Sequence, residues 1–181
     1  MTALPTGLVT GTYTVDPTHT SASFTVRHAG ISKVRGTLAV VSGSLVVGES
    51  IEDSSVSAEI DAASVSTGNP DRDAHLTSAD FWDAEKNPVW SFSSTSVAAD
   101  GDDFAVTGDL TINGVTRSVV LLTEFAGIAT DPFGNSRAGF EASTEISRKD
   151  FDLTWNAALE TGGVLVGDKV KIELDISAIK A

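Results

Sequence analysis

Apolar and polar residues alternate along most of this chain with a period of two. Phe24, Val26 and His28 fall on one face against Ser23, Thr25 and Arg27, and Val34, Leu38 and Val40 fall against Arg35 and Thr37. The same pattern runs through Val56, Ala58 and Ile60, through Trp90 and Phe92, and through Phe104, Val106, Leu110 and Ile112. It returns in Phe140, Ala142 and Ile146, and again in Val170, Ile172, Leu174 and Ile176, which oppose Lys169, Lys171, Glu173 and Asp175. Successive side chains of an extended strand point to opposite faces, so the pattern predicts antiparallel strands with one buried and one wetted face. Val115–Phe125 departs from it, because Val119, Val120, Leu121 and Leu122 put apolar groups on both faces. We expect Leu121 to point inward there. Val120 and Leu122 then form an outer apolar patch of the kind a second copy of the chain covers in a homodimer.

Turn chemistry orders these strands. Asn113-Gly114 separates two alternating runs and predicts a tight hairpin, since a type I′ turn needs positive φ at both central positions. Asp100-Gly101-Asp102 and Asp131–Asn135 read as further strand-linking loops, and Asn156–Gly167 as a loop or loose hairpin. One stretch breaks the period. Asn69, Pro70, Asp71 and Asp73 supply a cap, a first-turn proline and first-turn acids, so a helix begins at Pro70, with a second short helical turn expected over Ala79–Trp82. The count is about eight or nine strands in one domain, 1–181, with its core between about 12 and 178. A sheet of that many long strands must close or split into layers, because open edges invite aggregation. Hairpin order with a single helical interruption favours an all-β, closed up-and-down barrel of about eight strands. Such a barrel either fills itself with side chains or encloses one ligand.

Composition narrows the partners. The 181 residues carry 12 Lys and Arg against 25 Asp and Glu, a net charge of −13. Such a surface repels phosphate backbones and anionic lipids, so neither nucleic acid nor stable membrane association is expected. The absence of cysteine removes disulfides, thiolate nucleophiles and thiolate metal sites. His19, His28 and His75 have no paired spacing, and no metal or other cofactor is expected. Asp16-Pro-Thr-His19 suggests part of a hydrolytic triad, but no Gly-x-Ser-x-Gly elbow accompanies it, and it reads as a turn entering a strand. Arg72–Asp73 and Arg148–Asp150 read as surface ion pairs pinning loops. Met1–Thr10 has neither the basic nor the apolar region of a signal peptide, and Leu38–Val41 and Val119–Leu122 are too short to span a bilayer. With Met1 as the native start the expected location is cytoplasmic; for a trimmed chain it is periplasmic or secreted.

The candidate site follows from the apolar faces. Phe24, Val26, Leu38, Val40, Phe92, Val106, Leu110, Leu121 and Phe140 are expected to line the bore, with His28 as a polar anchor among them. The helical segment Pro70–Trp82 is expected to cover one end, offering Leu76, Phe81 and Trp82 as its apolar underside. Gly36, Ala58, Gly108 and Ala142 alternate with aromatics, a mixture that suits either a channel or a tapering solid barrel. Two other readings compete: a lipid-modifying enzyme using His28, His75 and Asp73 as acid–base groups, and a β-domain mediating protein contacts through an exposed edge.

Several phrases then carry a resemblance. They include Tyr13-Thr-Val-Asp-Pro-Thr-His19, Phe24-Thr-Val-Arg-His28, Ile60-Asp61, Arg72-Asp-Ala-His-Leu76 and Asp80-Phe-Trp82. Further along stand Pro88-Val-x-x-Phe92, Gly108-Asp-Leu-Thr-Ile-Asn-Gly-Val-Thr-Arg117 and Arg148-Lys-Asp-Phe151. In this order the chain resembles the YceI-like family of lipid-binding barrels from about Tyr13 to Ile176. The resemblance implies a lipocalin-like barrel whose tunnel holds a long apolar molecule, a polyisoprenoid, an isoprenoid quinone or a fatty amide. It implies a soluble carrier, and supplies no catalytic residues.

Overall fold

The computed structural model describes every residue from Met1 to Ala181. Nine strands follow in order: β1 (Gly11–Val15), β2 (Ser21–His28), β3 (Ser32–Val47), β4 (Ser55–Ser66), β5 (Val89–Asp100), β6 (Asp103–Ile112), β7 (Val115–Thr130), β8 (Ser136–Ser147) and β9 (Val166–Lys180), with one helix, α1 (Pro70–Thr77). Each strand from β2 to β9 pairs antiparallel with the next, and β9 pairs back onto β2, which closes the barrel. Nine strands fill eight positions. Both β1 and β2 lie between β3 and β9, β1 against Ser44–Val47 and β2 against Ser32–Leu38. What divides them is a single 3-10 turn at Pro17–His19, where the Asp16 side chain accepts the Thr18 N–H. The expected up-and-down barrel with one short helix is therefore what the chain forms.

The turns obey their residues. Asn113 (φ 55°) and Gly114 (φ 72°) make the type I′ hairpin, while at the next tightest turn only Gly101 (φ 64°) is left-handed. Asn69 accepts the N–H groups of Asp71 and Arg72, starting α1 where expected. The second helical turn does not form. Ser78 is extended (ψ 173°), and the chain instead makes a hydrogen-bonded turn in which Asp83 N–H donates to the Ser78 carbonyl at 2.9 Å. Between Asn156 and Gly167 the chain makes a small hairpin bridged at Ala158 and Val164.

Four connections share one end of the barrel: the β2–β3 turn, the α1 segment, the β6–β7 turn and the long β8–β9 loop. We call this the lid end. β1 and the β3–β4, β5–β6 and β7–β8 turns mark the floor end. Apolar side chains form two clusters accordingly, one around Trp82, Trp90 and Phe151, the other around Tyr13, Val40 and Phe140. Ladder irregularities between Val40 and Ser42, Ser94 and Ser96, and Phe125 and Gly127 bend the longest strands.

At the floor end Arg137 of β8 donates to Asp16 at 2.8 Å and to Asp131 at 2.9 Å, tying the β1–β2 break to the β7–β8 turn. Arg137, then Thr18 and His19, hold the Asp16 carboxyl well below the usual carboxylate range. Asn135, through side chain and backbone, does the same for Asp131, with Arg137 adding to it. A carboxylate depressed in the folded state stabilises it above its unfolded pKa, and that stability is lost as pH falls through the folded value. Arg137→Leu is therefore expected to lower the melting temperature near neutral pH. The gap from wild type should shrink below about pH 4. Thermal melts across that range check it; a gap that stays constant into acid would refute the assignment.

Candidate functional site

The inner face of the barrel encloses a cavity lined by 42 residues, of which 35 are hydrophobic. Its lining extends from Leu8, Val15 and Val47 near the floor end to Arg148, Leu153 and Val166 near the lid end. Its volume is about 240 Å³, against roughly 10–15 Å³ for a single water. The space is many times that of one water, and its walls give water almost no partners.

The register explains which side chains reach it. Phe24 stands opposite Gly36 and Ile172, Phe92 opposite Leu110, and Val106 opposite Leu121. Phe24, Val26, Leu38, Val40, Phe92, Val106, Leu110, Leu121 and Phe140 all line the cavity, as do Leu76, Phe81 and Trp82 from the α1 segment. In β7 the ambiguity resolves with Leu121 inside, while Val120 is 44% and Leu122 55% exposed.

His28 is a correction. It is exposed and does not line the cavity. Its β9 partner jumps to Val166 from the Val170 that faces Val26, and the chain turns immediately afterwards through Ala29 (φ 54°) and Gly30 (φ 72°). Extrapolating the alternation past that irregularity carried His28 inward; it belongs to the rim. The proposed acid–base set does not assemble at the cavity either. His75 Nε2 lies 2.9 Å from Asp80, the Asp73 carboxylate accepts the Thr67 N–H and hydroxyl, and neither residue lines the cavity.

The lid end is held by specific contacts. Arg72 does not pair with Asp73; both bind Thr67, Arg72 donating to its hydroxyl and carbonyl, which fixes α1 to the end of β4. Trp82 donates its indole N–H to the Ala62 carbonyl at 2.9 Å and meets Trp90 edge-on at 5.2 Å. Phe81 packs 5.3 Å from Trp155 of the β8–β9 loop, with His75 edge-on to both rings.

Arg148 is also not the surface ion pair its spacing suggested. It is 7% exposed. Nε donates to the Gly167 carbonyl (2.8 Å), Nη1 to those of Leu153 (2.8 Å) and Trp155 (3.1 Å), and Nη2 to that of Val166 (3.3 Å). No carboxylate pairs with it, and burial pushes its pKa down. Nothing in the local sequence marks this role, because the carbonyls come from a loop whose path only the fold defines.

The small inner-wall residues act in a particular way. A Cβ at Gly36 would overlap the Phe24 ring, and one at Gly108 would stand 2.6 Å from the Ser93 carbonyl and overlap the Phe92 ring. These glycines let the rings rest against the wall rather than project across the bore.

A profile of the YceI-like domain matches residues 13–178, from Tyr13 in β1 to Ala178 in β9, all but the outermost residues of the barrel. The chain belongs to the YceI-like family. Protein YceI of Escherichia coli O17:K52:H18 is 43% identical over 136 residues, covering 75% of this chain and 71% of that protein. Among solved structures, BcnA of Burkholderia cenocepacia superposes with a TM-score of 0.76 at 22% identity, over 90% of this chain and 98% of its own. A polyisoprenoid binding domain from Saccharophagus degradans, implicated in plant cell wall breakdown, does so with a TM-score of 0.68 at 15% identity, over 93% and 98%. At those identities the two structures establish a shared fold.

Proposed function

We propose that this protein binds and carries a long apolar isoprenoid-type lipid, a polyisoprenoid or an isoprenoid quinone, in an internal tunnel. The observation that carries this reading is the cavity wall itself, 35 of 42 residues hydrophobic inside a closed barrel. Each buried CH₂ contributes about 0.8 kcal/mol, so ten carbons supply on the order of 8 kcal/mol before association losses. Family membership and the polyisoprenoid binding domain among its structural neighbours support the same class of ligand. Leu76, Phe81 and Trp82 serve as the underside of a lid over the bound chain. The reading invokes binding and transfer, with no catalytic step.

Native mass spectrometry and organic extraction of freshly purified protein test it. A co-purified lipid mass is expected, together with a rise in melting temperature when a prenyl quinone is added, because a ligand that binds only the folded state stabilises it. Empty protein with no thermal response to prenyl quinones would end this reading.

A further inference from the structure

Trp90 Nε1 is the only buried side-chain nitrogen or oxygen in the molecule without a hydrogen-bond partner. The residue is 7% exposed and lines the cavity near the start of β5, at the lid end. Buried donors are nearly always satisfied, and an orphan calls for a specific explanation. A lone ordered water is a poor one, since it needs two to four polar partners. Around Trp90 stand the Trp82 ring at 5.2 Å, whose own N–H is committed to Ala62, and Ile60 directly across the ladder. Among the other polar side chains of the wall, Thr20, Ser23 and Thr123 donate to the carbonyls of Ser177, Glu173 and Leu121, and Ser54 to that of Ser50.

We infer that Trp90 Nε1 donates a hydrogen bond to an uncharged carbonyl oxygen on the bound lipid, which fixes the ligand's polar end beneath the lid and sends its tail toward the floor. This rests on the carrier reading above and adds an orientation and a specificity residue to it. The acceptor is uncharged because the end of the cavity offers no free cation to a phosphate. The Arg148 guanidinium is spread over four backbone carbonyls, and an anion buried against one indole N–H is strongly disfavoured. Arg148 still places positive charge at the same end, which favours the negative end of a carbonyl dipole.

Two probes separate the possibilities: a tetraprenyl benzoquinone, which carries carbonyls, and squalene, a hydrocarbon of similar length. The chain has three tryptophans, so its indole N–H resonances are three, assignable by triple-resonance spectroscopy. With wild-type protein, the quinone is expected to move the Trp90 resonance downfield and squalene to leave it near its place. Trp90→Phe should weaken quinone binding about two- to tenfold, the range of one net hydrogen bond, while squalene binds as before. An unmoved resonance with both probes bound would overturn the inference and leave the carrier function standing. So would a Trp90→Phe protein that loses both probes equally, since that reports lost packing. Failure of both probes to bind wild type would overturn the carrier reading and the inference with it, and squalene bound without the quinone would overturn the inference alone. If Trp90→Phe does not fold, the wild-type resonance alone decides.

Discussion

Replacing Arg148 with methionine should cost about 3–5 kcal/mol of folding stability, because each buried carbonyl left without a donor costs about 1–3 kcal/mol. The guanidinium joins the carbonyls of Leu153, Trp155, Val166 and Gly167, so it organises both ends of the β8–β9 loop at once. Methionine fills a similar volume and removes the cost of burying a cation, but it takes the donor from the Leu153, Trp155 and Gly167 carbonyls, while Val166 keeps the Asn156 side-chain amide at 2.7 Å. Losses of that size consume a large share of the 5–15 kcal/mol that holds an ordinary domain together. Arg148→Lys should recover only a minor part, because one ammonium cannot reach carbonyls arranged around a planar fork. Urea titration followed by circular dichroism measures both variants. A methionine variant that unfolds at the wild-type midpoint would mean that water already serves those carbonyls.

Gly108→Ala should be costly in two ways. The new methyl group would meet the Ser93 carbonyl at 2.6 Å as well as the Phe92 ring. The ring can swing away into the bore, but the carbonyl belongs to the strand next door, so the β5–β6 ladder must shift. A loss of about 1–3 kcal/mol is expected, typical of overpacking, together with a marked drop in co-purified lipid as Phe92 is driven across the cavity. Gly36→Ala is the contrast. Its closest neighbours are side-chain atoms of Phe24 and Thr67, with no backbone in the way. That variant should keep most of its stability and lose lipid capacity. Denaturation curves beside native mass spectra compare the two; equal stability for Gly108→Ala and wild type would show that the wall is softer than its geometry implies.

These variants also mark where the sequence stops being informative. The barrel was legible because a strand exposes alternate residues to alternate faces, and each hairpin's register is fixed by a local turn such as Asn113-Gly114. Nine of the ten strand positions expected to face the bore line the cavity for that reason. The tenth, His28, does not, because the β2–β9 ladder slips between Val26 and its position, and a slip involves a partner more than a hundred residues away. In the same way, the short helical turn expected after Ser78 gives way to a tight turn that carries Phe81 and Trp82 onto the lid-end core.

Periodicity, turn residues and the ordered family phrases determined by themselves that the chain is an antiparallel barrel with one capping helix, and which face of each strand is apolar. The acidic surface was equally plain from composition. Only the tertiary structure decided that the inner face lines a cavity. Whether a ring crosses a bore or rests on its wall depends on the residue facing it across the ladder, as Gly36 faces Phe24. It also decided which polar groups are spent. Arg148 reads as half of an ion pair and Trp90 as one more core aromatic until the distant carbonyls that satisfy the first, and the absence of any that satisfy the second, are brought alongside. Hydrogen-bond satisfaction is a property of what surrounds a group in space, and chain order carries little record of it.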